Sequence, residues 1–277
     1  MNIRKLKFLV LIFLLPFSFL VHAQIIYGSN NGKYLTIKGI KVYYEEYGKG
    51  IPLLLLHGGF GSIHDFQNVI PELSKHFRVI AMDSPGQGRS EQADSISYQL
   101  YADYYSDFID LMKLDSVYVI GWSDGGNFAM LLSYDRPDKV KKVIISGADA
   151  STDGYQPGLL DFIKNWTLKA AEIDNKDWID DFKKKSPNKD NWQKTFLDIQ
   201  KMWLKKVVIT DEKLSQIKSK FLIVLGDRDA QTLEHGIFLY RKIKGSEFCV
   251  LPNTTHNVFK EKPELINNIA IGFFAEK

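Results

Sequence analysis

A serine between glycines, a carboxylate after a glycine turn and a late histidine each follow a short apolar run, and together they could carry out nucleophilic acyl transfer. The serine stands in Gly121-Trp122-Ser123-Asp124-Gly125, between the strand-like Val117–Ile120 and the helix-like Asn127–Tyr134. This is G-x-S-x-G at a strand-to-helix turn. A turn that tight holds the serine in a strained backbone conformation with its hydroxyl exposed. Flanking side chains would collide, so glycine stands on either side. The helix that follows puts its N-terminal amides where negative charge develops.

Three further segments supply the other parts. His57-Gly58-Gly59-Phe60-Gly61-Ser62 directly follows Leu53–Leu56, and a glycine-rich loop after a strand can turn backbone N–H groups toward an oxyanion. No Lys-Ser/Thr pair follows it, so it does not fit a nucleotide P-loop. Gly226-Asp227-Arg228-Asp229 also follows a strand-like run. A carboxylate there can orient a histidine ring and stabilise its charged form, and Asp227 and Asp229 compete for that role. His256 lies in the loop between Phe248–Leu251 and the last helix-like stretch. A histidine base titrates near pH ~6.5, which predicts activity that falls off in acid. His64, His76 and His235 lack a strand-end position, and His22 belongs to the leader described below. The order is Ser, Asp, His.

The elements that must position these residues alternate. Val42–Tyr47, Leu53–Leu56, Arg78–Met82, Val117–Ile120, Val143–Ile145, Phe221–Leu225 and Phe248–Leu251 read as strands, most of them apolar throughout, as strands buried on both faces are. Tyr98–Met112, Asn127–Tyr134, Leu233–Ile243 and Pro263–Phe274 read as helices, the last with Pro in its first turn. This predicts an α/β fold with a mostly parallel sheet covered by helices on both faces. Residues 151–219 break the rhythm. They are helix-like and carry Trp166, Trp178, Trp192 and Trp203, four of the five tryptophans, and they read as a helical insertion between two strands. Aromatic residues at helical spacing are more often core than pocket lining.

The first 23 residues read as a secretory signal peptide. Arg4, Lys5 and Lys7 precede an apolar run from Phe8 to Val21, and Val21-His22-Ala23 offers a cleavage site. The run is too short and too interrupted for a membrane span. The expected mature chain is secreted or periplasmic, with no stable membrane anchor. Cleavage removes three Lys+Arg and no Asp or Glu, taking the formal charge from +3 to 0. A neutral chain gives no electrostatic reason to expect nucleic acid or an acidic membrane as a partner; the expected partner is a small-molecule substrate. The single cysteine, Cys249, excludes an intrachain disulfide and reads as a core residue.

With these residues in hand, the chain resembles the α/β-hydrolase superfamily over nearly all of its mature length. Asp83-Ser84-Pro85-Gly86-Gln87-Gly88-Arg89-Ser90 is similar to that family's D-x-P-G-x-G-x-S loop, and Leu251-Pro252…His256 with Glu261-Lys262-Pro263 is similar to its histidine region. Gly-Trp-Ser-Asp-Gly-Gly and Ser146-Gly147-Ala148-Asp149-Ala150 resemble the biphenyl-hydrolase-like subgroup, which includes α-amino-acid ester hydrolases. The resemblance implies an eight-stranded sheet with a helical cap after the sixth strand: core 24–150 and 220–277, cap 151–219. It implies Ser123 as nucleophile, His256 as base and acid, and Asp229, which matches G-x-x-D better than Asp227 does. It places the oxyanion donors at the N–H groups of Gly59 and Asp124, with Phe60 as the alternative to Gly59.

Asp124 would either hold a substrate ammonium or serve as a helix N-terminal acid. Phe60 and the aromatic cap imply an apolar acyl pocket of modest size. Serine at the elbow argues against haloalkane dehalogenases and epoxide hydrolases, which need Asp there. No metal or organic cofactor is implied. The expected activity is carboxylic ester hydrolysis. A C–C bond hydrolase or perhydrolase on the same triad, or a ligand-binding protein on this fold, are the alternatives.

Overall fold

The computed structural model describes Gly28 and residues 32–276; the expected leader, 1–23, lies outside the described residues. Among these, eight strands form one sheet: β1 (Lys33–Ile37), β2 (Ile40–Tyr47), β3 (Pro52–Leu56), β4 (Arg78–Met82), β5 (Val117–Trp122), β6 (Val140–Ser146), β7 (Lys220–Gly226) and β8 (Glu247–Leu251). Their order is β1-β2-β4-β3-β5-β6-β7-β8. β1 and β2 form an antiparallel hairpin, β2 runs antiparallel to β4, and every later pairing is parallel. The α/β expectation and its eight strands are therefore observed.

The all-apolar runs became central strands. Leu53 to Leu56 are each no more than 2% exposed, and burying each such side chain contributes about 2 kcal/mol. β1 was not legible. Its Lys-Tyr-Leu-Thr-Ile stretch forms the outer strand of the hairpin and leaves Lys33 and Tyr34 exposed, so it has no apolar run to recognise. β8 differs in the opposite way. It closes the far edge of the sheet, leaving Val250 exposed and Cys249 half-buried. Cys249 packs on the margin of the core and not within it, and burial raises its thiol pKa.

Eleven helices accompany the sheet among the described residues: α1 (Ile70–Leu73), α2 (Tyr98–Leu111), α3 (Asp124–Asp135), α4 (Leu159–Asn165), α5 (Leu168–Asp174), α6 (Lys176–Lys185), α7 (Trp192–Trp203), α8 (Asp211–Gln216), α9 (Leu233–Lys242), α10 (Val258–Glu261) and α11 (Pro263–Ala275). Two apolar clusters follow from the two faces. α2, α3, α8 and α9 bury Tyr101, Phe108, Phe128, Leu214 and Leu239 on one. α1, α10 and α11 bury Ile70, Phe259, Ile266 and Phe273 on the other. α3 starts three residues earlier than its apolar periodicity suggests, immediately after Ser123.

The chain between β6 and β7 carries α4 to α8. Ala171, Ile179, Phe182, Trp192 and Phe196, from α5, α6 and α7, form a separate small core. The first and last stretches of this segment are pinned together: Val208 N–H donates to Ala150 O at 2.9 Å and Thr152 N–H to Lys206 O at 3.0 Å. Gln92 N–H donates to Asn188 Oδ1 at 3.0 Å, and the Thr195 hydroxyl to Gly86 O at 3.2 Å. The Asp83–Ser90 loop thus holds α7 over the C-terminal ends of the strands.

Candidate active site

Ser123 caps α3 with φ 55° and ψ −124°, a region costly for any residue with a Cβ. The strain is held by its surroundings. Ser123 N–H donates to Ser146 O at 2.8 Å, and Ser123 O accepts from Gly126 N at 2.8 Å. A Cβ on Gly121 would stand 2.4 Å from Gly125 O, and one on Gly125 would stand 1.9 Å from Leu56 O. Strand and helix approach so closely that only glycine fits at either position.

His256 Nδ1 lies 2.7 Å from Asp229 Oδ1. An ionised carboxylate only accepts, so Nδ1 carries the proton and Nε2 is left free as a base. The Asp229 side chain is fully buried and also accepts from Gly226 N and Gln231 N, each at 3.3 Å. The histidine ring packs on Trp122, whose indole N–H donates to His256 O at 2.8 Å. Gly147 passes beneath it at φ 59°, where a Cβ would sit 2.6 Å from His256 Cε1.

Asp227 does something else. It accepts from Asn253 N at 2.9 Å and Thr254 N at 3.0 Å, bracing the loop that leads to His256. Those two amides hold its carboxyl below the usual range. The other histidines are also engaged elsewhere. His235 Nε2 accepts from Ala150 N at 2.9 Å, and burial pushes its pKa down to about 4. His76 pairs with Glu72 on the surface, and His64 borders a different cavity.

Ser123 and His256 open into one cavity of about 240 Å³ with Gly58, Gly59, Asp124, Asp149, Tyr155, Ile163, Trp203 and Gln231 among its walls. Gly58 abuts Ser123: a Cβ there would stand 3.0 Å from Ser123 Cβ. Buried His57 fixes this loop, with its Nδ1 proton on Gly58 O at 2.7 Å and its Nε2 accepting from Ser84 N at 2.9 Å. Phe60 does not line the cavity. It adopts φ 60° and turns its ring into the small core above, against Trp166, Trp178, Phe196 and Trp203. Of the four tryptophans of the insertion, Trp192 is core and Trp203 is lining.

Asp124 has a role that neither sequence reading gave it. Its carboxylate is buried and accepts the Trp203 indole N–H at 2.8–2.9 Å on both oxygens, with the Tyr98 hydroxyl at 3.4 Å. The residue after Ser123 therefore tethers α7 to the elbow. Burial raises this carboxyl to about 6, against the Trp203 N–H, the charge of His256, the Tyr98 hydroxyl and the Gly59 amide, which lower it.

Two residues of the site were not singled out from sequence. Asp149 follows β6 by three positions and Gln231 follows Asp229 by two. Asp149 lies in the Ser146–Ala150 stretch, whose residue types alone assign it no role. Its position just past a strand's C-terminal end, where ligand sites of parallel sheets gather, was the available signal. The Asp149 carboxyl is raised to about 8, first by burial and then by the charge of Asp124. An unfolded aspartate titrates near ~3.9. Between these values the folded protein keeps a proton that the unfolded chain has released, so this group makes stability fall as pH rises. Asp149→Asn removes the dependence. Relative to wild type the variant should gain about 1.4 kcal/mol per pH unit between about pH 5 and 7, read from urea unfolding. A flat difference would mean that Asp149 is ionised in the native protein.

The sequence model of the alpha/beta hydrolase fold matches residues 51–196. A 2-hydroxy-6-oxo-2,4-heptadienoate hydrolase of Pseudomonas putida is 25% identical over 246 residues, covering 81% of this chain and 89% of its own. The human serine hydrolase BPHL is 26% identical over 86% of this chain and 84% of its own. Among solved structures, a meta-cleavage product hydrolase from Pseudomonas fluorescens superposes with a TM-score of 0.74 at 20% identity, over 88% of this chain and 97% of that one. That likeness in fold and a family match over more than half of the sequence lead to one conclusion: this chain belongs to the α/β hydrolase family.

Proposed function

We propose that this α/β hydrolase is a serine esterase acting on small carboxylic esters through an acyl-enzyme. The observation that carries the reading is the 2.7 Å bond from His256 to buried Asp229, in the cavity that holds the strained Ser123. His256 Nε2 takes the Ser123 proton as Oγ attacks the ester carbonyl. The N–H group of Asp124 and that of Gly59, which must leave the Asp124 carboxyl to do so, receive the oxyanion. The imidazolium then protonates the leaving alkoxide, and water activated by the same nitrogen releases the acid. The proposal includes export under the 1–23 leader and a cap formed by 151–219.

The walls speak to the substrate. Leu159, Phe162, Ile163 and Trp203 supply an apolar side, Asp124 and Asp149 an acidic one, and no lysine or arginine lines this cavity among the described residues. A negative acyl group would meet the Asp124 carboxyl, ionised above about pH 6, and no cation. p-Nitrophenyl butyrate should therefore be turned over at least about tenfold faster, in kcat/KM, than the p-nitrophenyl ester of succinic acid, since a discrimination of about 1.4 kcal/mol suffices for that factor. Equal rates, or a preference for the succinyl ester, would contradict the assigned walls.

A second reading, C–C bond hydrolysis, is favoured by the name of the Pseudomonas putida relative. Substrates of that name carry a carboxylate, which the acidic wall disfavours. Decay of 2-hydroxy-6-oxo-2,4-heptadienoate faster than any ester would move the assignment to it.

A further inference from the structure

Gln231 has its side-chain amide between two carboxyls. With the NH2 toward Asp149 Oδ2, 3.4 Å away, the amide oxygen faces only acceptors. Turned over, the nitrogen donates to Asp229 Oδ1 at 2.8 Å and to Gly147 O at 3.2 Å, and it lies 3.2 Å from His256 Nδ1. The amide oxygen then faces Asp149, and two oxygens can share that contact only if Asp149 supplies a proton.

We infer that Gln231 is a positioning residue for the Asp229–His256 pair, and that buried Asp149 sets its orientation by donating a proton to the Gln231 amide oxygen. The proposal rests on the Ser123–His256–Asp229 reading and adds its regulation. Protonated Asp149 aims the Gln231 NH2 at Asp229, and Asp229 holds the histidine. Ionised Asp149 attracts that NH2 instead, turns the amide oxygen onto Asp229 Oδ1, and loosens the grip on His256.

The surroundings of Asp149 favour the neutral form. It is 4% exposed, and its Oδ1 has no hydrogen-bond partner. Its backbone is fixed, with Asp149 N–H donating to Asn127 Oδ1 at 2.9 Å. The groups that face it are Asp124 and Asn127 from α3, Tyr98 from α2 and Tyr155 from the stretch before α4. Across Gln231 lie Asp229 and His256. His235, at the head of α9, accepts the neighbouring Ala150 N–H. Burial raises both tyrosines, so neither supplies charge. The Asp124 titration falls near 6 and that of Asp149 near 8, which separates the two along the pH axis.

The test has two readouts on the purified chain. In the first, NMR follows the His256 ring shift against pH in wild type, Asp149→Asn and Gln231→Leu. Wild type should show an inflection near pH 8, above those of the ring itself and of Asp124, and it should vanish in both variants. In the second, kcat/KM on p-nitrophenyl butyrate should fall about tenfold between about pH 7 and 9.5 in wild type, the loss of one charge-assisted bond. It should change less than about twofold in Asp149→Asn, whose amide donates at any pH. Gln231→Leu should begin about tenfold lower and stay flat. No inflection near pH 8 in wild type, or one that survives Asp149→Asn, overturns the proposal. Neither NMR result depends on turnover, so failure of the esterase reading, seen as ester hydrolysis that survives Ser123→Ala, is told apart from failure of this one.

Discussion

Ser123→Ala should lower ester turnover by a factor on the order of a millionfold and leave the fold in place, because in the proposed mechanism the nucleophile acts as a unit with its base. The fold should survive because the variant keeps a Cβ at φ 55° and loses only the hydroxyl. The bonds that hold the elbow, from Ser123 N–H to Ser146 O and from Gly126 N–H to Ser123 O, are made by backbone. Steady-state rates on p-nitrophenyl butyrate, with the circular dichroism spectrum as control, measure this. A loss below about tenfold would remove Ser123 from the chemistry.

Asp229→Asn should lower turnover by about ten-thousandfold, while Asp227→Asn should leave it within about tenfold. An amide in place of Asp229 presents an N–H to His256 Nδ1 or drops the bond, and the ring then settles in the tautomer that protonates Nε2. The nitrogen that should take the Ser123 proton is thereby blocked. The Asp227 carboxylate accepts from the backbone of Asn253 and Thr254 and not from His256, so its loss loosens a loop without reversing a tautomer. The paired kcat values of the two variants decide the matter. Equal losses would mean that both carboxylates act through the loop.

The elbow was legible because two local rules coincide there: an apolar run too short for a helix, and glycines at the positions that flank a strained serine. The choice between Asp227 and Asp229 was not settled by spacing. It depends on which carboxylate meets the His256 ring and which accepts from the backbone of the loop after β8. Asp149 and Gln231 were out of reach for a related reason. They meet because β6 and β7 are neighbours, although 82 positions separate them.

Phe60 shows the limit of composition. An aromatic residue in a glycine-rich loop suggests pocket lining, yet a positive φ carries its ring into the small core of the insertion. Trp203 and Trp192 are equally aromatic and both helical. What separates them is that Trp203 ends α7 over the elbow, within reach of Asp124. Helical periodicity marks a buried face and not what that face is buried against.

Covalent capture tests the central claim most directly. The folded chain is incubated with a fluorophosphonate, digested and analysed by mass spectrometry. The account predicts one stoichiometric adduct, on Ser123, that fails to form in Ser123→Ala and forms far more slowly in His256→Ala. An adduct on another residue, or none at all on protein shown to be folded, would contradict it.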